Sequence, residues 1–204
     1  MSRTKLALAG ALVVTAGTIA AAAFATTGTV HYVAGLSPIH HDPIADHHST
    51  VTGTASLDVQ GTQVHVVLHL RGLAPGLPHA MHIHGDLAAK NECPGPSADT
   101  DGDGLISLAE GAPFYGPIDT SFTTTGDTSP ASGLALERFP VADANGAIDY
   151  DRTFTIPQNV IDRLGSLHIV VHGLPLDGDA TGPVGGYDSL FEATLPVACG
   201  AISR

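Results

Sequence analysis

Apolar and polar residues alternate over much of this chain, and the alternation predicts strands. Thr50 to Val59 and Thr62 to Leu70 read as two strands joined at Gln60-Gly61. In the second, Val64, Val66, Leu68 and Leu70 share one face, the two-residue period of a half-buried strand. His65, Val67 and His69 take the other face and are expected to meet solvent. Leu77 to His84 is the next strand, followed by a long loop from Gly85 to about Thr120. Val141 to Ile148 reads as a strand end, a turn at Asn145-Gly146 and a new strand that continues through Thr153-Phe154-Thr155-Ile156. Asn159 to Leu164 allows one short helical turn. Leu167 to His172 is a strong strand, Gly173 to Ser189 a loop rich in Gly, Asp and Pro, and Phe191 to Val197 a closing strand. Many short strands separated by turn signals predict an all-β antiparallel sandwich or barrel.

The first residues follow a different pattern. Arg3 and Lys5 precede an uncharged apolar run from Leu6 to Phe24, and Ala23-Phe24-Ala25 has the small-x-small form of a cleavage site. Residues 1–25 therefore read as a secretory signal peptide, the alternative being an uncleaved membrane anchor, since the run is just long enough to span. Residues 26–49 carry His31, His40, His41, His47 and His48 among Pro38 and Pro43. They read as a His-rich linker, either a loose metal-capturing tail or plain solvated chain. Residues 50–204 are then a single domain.

Composition narrows the function. The formal net charge is −12, and the leader holds two of the eight Lys and Arg but none of the twenty Asp and Glu. Such acidity argues against nucleic acid and anionic membranes as partners and favours cations. Two cysteines in a secreted chain point to one disulfide, Cys93–Cys199.

The chemistry sits in His79-Ala80-Met81-His82-Ile83-His84 and His168-Ile169-Val170-Val171-His172. On a strand, His82 and His84 project from one face, and so do His168 and His172. Two imidazoles from one strand and one from another make a three-nitrogen platform that suits copper or zinc.

A second cation motif lies in the long loop. Asp99-Thr100-Asp101-Gly102-Asp103-Gly104-Leu105-Ile106-Ser107-Leu108-Ala109-Glu110 matches the twelve-residue EF-hand calcium loop. Asp99, Asp101 and Asp103 supply carboxylates, Leu105 a backbone carbonyl, Ser107 a contact through water, and Glu110 two oxygens. Pro94, Gly95 and Pro96 rule out a normal entering helix and Pro113 limits the exiting one. A lone calcium loop set into another fold, with a structural role, is the expectation.

Taken in order, these motifs resemble the copper/zinc superoxide dismutase family. They are Gly72-Leu73-Ala74-Pro75-Gly76, His79 to His84, Cys93 nine residues later, Val170-Val171-His172, and Ala198-Cys199-Gly200-Ala201-Ile202. The resemblance covers roughly residues 50–204 and implies a Greek-key β-barrel with long loops. It implies copper at His82, His84 and His172, with His79 in support and His168 as an alternative fourth ligand. Other family positions are replaced. Asp99 stands where the bridging histidine falls, no histidine lies between His84 and His168, and Pro196 stands where an arginine attracts superoxide. Copper and calcium are thus the expected cofactors, with no zinc at the family's zinc site. The expected function is a secreted or cell-surface dismutase-like protein whose redox activity toward superoxide is weak or altered. The competing expectation is a non-enzymatic, calcium-stabilised β-barrel module for copper buffering or surface interaction.

Overall fold

A computed structural model describes residues 28–41, 49–178 and 180–204. The expected signal peptide lies outside these residues, as do His47 and His48. Eight strands form one sheet: β1 (Val30–Pro38), β2 (Thr52–Gln60), β3 (Gln63–Arg71), β4 (Met81–His84), β5 (Ile118–Ser121), β6 (Ile148–Thr155), β7 (His168–His172) and β8 (Pro196–Ala201). Their order is β5-β4-β7-β8-β1-β2-β3-β6, and every pairing is antiparallel. The sheet curls into a half-barrel. Tyr150 Oη and Arg152 both donate to the Thr123 carbonyl, at 3.0 and 2.6 Å, and so link edge strand β6 to the segment after edge strand β5.

Alternation builds the core. Leu57, Val64, Val66, Leu68 and Leu70 are fully buried inside the curl, where they meet Met81, Ile83, Ile169 and Val171. On the outer face of β3, His65 and His69 reach Asp151 and Asp149 at 2.9 and 2.7 Å, as expected of exposed strand residues. The Asn145-Gly146 turn forms as the sequence predicts. Asp143 Oδ1 accepts from the Asn145 and Ala147 N–H groups, and Gly146 holds φ +71°. A Cβ there would lie 2.4 Å from the Leu73 carbonyl, so only glycine fits.

Two segments differ from expectation. The His-rich stretch is not all linker, because Val30–Pro38 is the strand that joins β8 to β2. Ala34 and Leu36 are buried in the core, while His31 points outward to Asp58 at 2.6 Å. Its histidines mask a strand period that the apolar residues still carry. The closing segment is also not one strand. Leu190–Thr194 is a short helix, and β8 starts only at Pro196. Ser189 caps that helix by accepting from the Glu192 N–H, which competes with the extended form.

The long loop contains structure of its own. Pro96–Ala98 is a single 3-10 turn, α1 spans Leu108–Tyr115 with Pro113 inside it, and β5 follows. Gln158–Ile161 is α2, the predicted helical turn, and Leu190–Thr194 is α3. The long loop lies over the outer face of β7 and β8, where Ile39, Ala98, Ile106, Tyr115, Val170 and Cys199 form a second apolar cluster. The disulfide Cys93–Cys199 fastens this cover to β8. Among the described residues no helix is long and apolar enough to cross a membrane.

Candidate metal centre

The four residues Met81-His82-Ile83-His84 serve two surfaces. Met81 and Ile83 enter the core inside the curl, and the alternate positions send His82 and His84 to the opposite face. Neighbouring β7 does the same with Ile169 and Val171 inside. Its His172 takes the side of the two β4 histidines, so that the three meet. Ring centroids are 5.4 Å apart for His82–His84, 5.3 Å for His82–His172 and 5.5 Å for His84–His172. One nitrogen from each lies within 4.8 Å of the others. All three rings are buried although they face away from the main core, because loops cover them.

The hydrogen bonds set each tautomer. His84 Nδ1 donates to the Gly116 carbonyl at 2.9 Å, and His172 Nδ1 donates to the Thr194 carbonyl at 2.8 Å. A carbonyl only accepts, so both Nδ1 atoms carry protons and both Nε2 atoms are lone pairs. These two lone pairs face each other at 3.4 Å. His82 is turned the other way. Its Nε2 donates to the Gly133 carbonyl at 3.2 Å, and its Nδ1 is buried without a hydrogen-bond partner. Nitrogens bound at 2.0–2.1 Å to one tetrahedral metal stand about 3.3–3.4 Å apart. The His84–His172 spacing therefore fits a shared cation, one His82 ring nitrogen lies within 4.8 Å of the other two residues' nitrogens, and His82 Nδ1 is left without a hydrogen-bond partner.

Each of these carbonyls ends a helical segment. Gly116 caps α1, Gly133 caps the 3-10 turn Pro130–Ser132, and Thr194 is the last residue of α3. Terminal carbonyls lack partners within their own helix and carry its partial negative charge. They hold the imidazole N–H groups and make the opposite nitrogens more basic toward a metal. Gly116 sits at φ +82°, and a Cβ there would come 2.9 Å from Gly85 Cα. Burial lowers all three side-chain pKa values. His84 falls to about 3 and His172 to about 4, and the mutual repulsion of the rings adds to the effect of burial at His82 and His84. The three imidazoles are neutral at pH 7, the state a metal requires.

Around them, Tyr115 packs edge-on to His84 at 4.8 Å and Phe139 edge-on to His82 at 5.3 Å. His79 stays outside the triad. It is buried and its Nδ1 lies 3.0 Å from the His172 carbonyl, so it braces the His172 backbone. His168 is the cross-strand partner of His84 but is not part of the convergent group. A cavity of about 330 Å³ opens beside the triad, and all three histidines line it.

The acidic loop forms a separate group. One oxygen each from Asp99, Asp101 and Asp103 lie within 4.8 Å of one another. Asp99 accepts from the Gly102 and Gly104 N–H groups at 2.7 and 3.0 Å. Glu110 does not join the three. One of its oxygens takes Thr100 N–H and Oγ1, and the other takes Ser107 N–H and Oγ. Ser107 is the N-cap of α1 in a reciprocal capping box with Glu110. Leu105 is held by its N–H, which donates to Asp103 at 2.8 Å. Burial raises the Glu110 pKa, but the Ser107 and Thr100 donors more than offset this and bring it to about 2.

Asp99 thus belongs to the acidic loop, away from the histidines. Pro196 opens β8, and its carbonyl accepts from His41 Nε2 at 3.0 Å. The Nδ1 atom of His41 accepts the Ile106 N–H at 2.9 Å. This buried histidine, placed in the linker by sequence, ties the acidic loop to β8. Tyr115 and Phe139 are the other residues that sequence reading missed, and so are the three carbonyls. Backbone acceptors carry no side-chain signal, although Gly116 after an apolar helix end is a recognisable stop.

No protein-family model matches the chain, and no curated protein matches it.

Proposed function

We propose that this chain is a secreted copper protein related to the copper/zinc superoxide dismutases, with weak or altered redox activity and a structural calcium loop. The observation that carries the reading is the convergence of three neutral, buried imidazoles, His82, His84 and His172, with one ring nitrogen of each within 4.8 Å of the others. The strand order supports a Greek-key barrel, since β3 connects across to β4 and β6 returns beside β3. The leader pattern and the disulfide support secretion. Imidazole suits copper and zinc alike; the resemblance favours copper. Bound copper would supply one-electron chemistry.

The protein's own contribution is to hold three imidazoles in fixed tautomers, keep them unprotonated and leave one side open to the cavity. No zinc is expected at the family's zinc site, because Asp99 stands where the bridging histidine falls and no histidine lies between His84 and His168. There, three carboxylates repel one another unless a cation lies between them, and oxygen donors at loop spacing favour calcium. The copper-buffering alternative rests on the cavity lining, which includes no Lys or Arg to draw in superoxide.

Copper stoichiometry tests the reading. Removing residues 26–49 would delete β1, so histidines that could compete for copper are replaced instead, as His40→Gln with His47→Gln and His48→Gln. That variant should retain one copper per chain after dialysis, with nitrogen couplings in its electron paramagnetic resonance spectrum. Adding His84→Ala and His172→Ala should abolish it. Full copper retention in the latter protein overturns the proposal.

A further inference from the structure

The open side of the histidine triad has an unusual lining for a metal centre. Leu108, Ile118, Pro130, Ala131 and Leu134 form most of its wall, with the three histidines at its base. Leu108 is 43% exposed and Leu134 55% exposed, so large apolar side chains stand where the cavity meets solvent. The nearby guanidiniums are already engaged. Arg163 binds Asp119 at 2.5 Å and the Gly85 carbonyl at 2.9 Å, and Arg138 binds Ser132 Oγ at 2.7 Å. The histidine N–H groups are committed to Gly116, Gly133 and Thr194, so they cannot donate to an incoming ligand.

Apart from the metal, the lining offers a small anion no partner. An anion entering here would shed its hydration with no Lys or Arg side chain to pair it, in a chain of net charge −12. A neutral molecule faces neither cost and gains by covering the apolar wall. The volume, about 330 Å³, would hold about ten waters at roughly 30 Å³ each, which is room for a ring compound. A mostly apolar pocket with one polar anchor is the usual form of a small-molecule site.

We propose that this cavity binds a small neutral molecule with an apolar ring and one lone-pair nitrogen or oxygen donor, the donor taking the open position on the metal. The inference rests on metal binding by His82, His84 and His172, and therefore copper content is measured first on the same sample. Copper-loaded full-length mature protein is then titrated with 4-phenylimidazole, imidazole and azide, followed by the shift in the copper spectrum. The expected order of affinity is phenylimidazole over imidazole over azide, with the phenyl ring adding about tenfold or more. Leu134→Lys, at an exposed position, should weaken phenylimidazole and strengthen azide. Ala131→Phe should fill the space and weaken phenylimidazole more than azide. Loss of copper from the unaltered protein overturns the metal reading itself. Copper retained with azide binding as tightly as phenylimidazole, or phenylimidazole affinity unchanged in both variants, overturns the ligand class alone.

Discussion

His84 and His172 turn their Nε2 atoms toward each other at 3.4 Å, while both Nδ1 protons are committed to carbonyls. Two acceptors in contact store repulsion that any shared cation relieves. Without metal, it is burial that keeps both rings unprotonated below the usual imidazole range.

Acid stability of the metal-free protein follows from that. An unfolded histidine titrates near 6.5, whereas burial holds His84 at about 3 and His172 at about 4. The unfolded chain therefore binds more protons over this interval, and stability rises with pH there. Their contribution is fully present above about pH 6.5 and is lost as pH falls toward 4 and then 3. Melting temperature measured from pH 7 to pH 4 should fall steadily, and His172→Gln should flatten the slope. A slope unchanged by that substitution would show that other groups govern acid unfolding.

Calcium should act on stability through α1. Excess chelator is expected to lower the melting temperature of the intact protein, since a ligand bound only to the folded state stabilises it by mass action. Glu110→Gln should destabilise by about 0.5–2 kcal/mol even in chelator, because the capping box at Ser107 loses its carboxylate. Identical calorimetric traces with and without chelator would remove calcium from the functional reading and leave the acidic loop as a hydrogen-bonded turn.

His40 and His41 are adjacent yet should behave oppositely. His40 is exposed, and His41 joins Ile106 to the Pro196 carbonyl. His41→Ala leaves buried backbone groups unsatisfied and should cost about 1–3 kcal/mol. His40→Ala should change stability by less than about 0.5 kcal/mol. Urea unfolding of the two variants reads this directly, and equal midpoints would mean that His41 does not anchor the loop.

Superoxide should be a poor substrate. Charge guidance raises encounter rates by roughly 10–1000-fold where it operates, and Pro196 with the apolar cavity offers none. Pulse radiolysis of copper-loaded protein should give slow dismutation with little dependence on ionic strength. A fast rate that drops steeply with salt would reveal a guiding cation and reverse this expectation.

Much of the centre was legible because alternation acts over a few residues. His82 and His84 flanking Ile83, and His172 after Val170-Val171, place three imidazoles on one face without reference to distant chain. The spacing of the acidic loop was equally local, and its three aspartates do converge. Glu110 went elsewhere because α1 needed a cap, a demand set by the helix after the motif. β1 was hidden by histidines that score as polar wherever they point. Leu190–Thr194 was ambiguous between helix and strand until Ser189 took the capping role. The carbonyls of Gly116, Gly133 and Thr194 select the tautomers of the three histidines, and they depend on where helices stop, which only the folded chain decides.

The bond between Cys93 and Cys199, 106 positions apart, makes most of the chain a covalent ring. The acidic loop and the Gly-rich stretch after His172 both lie within it. A protease that cuts either one opens the ring but releases no fragment. Such a nicked molecule would run as two pieces only after reduction, and in an oxidising medium it would retain His82, His84 and His172 in one covalent unit.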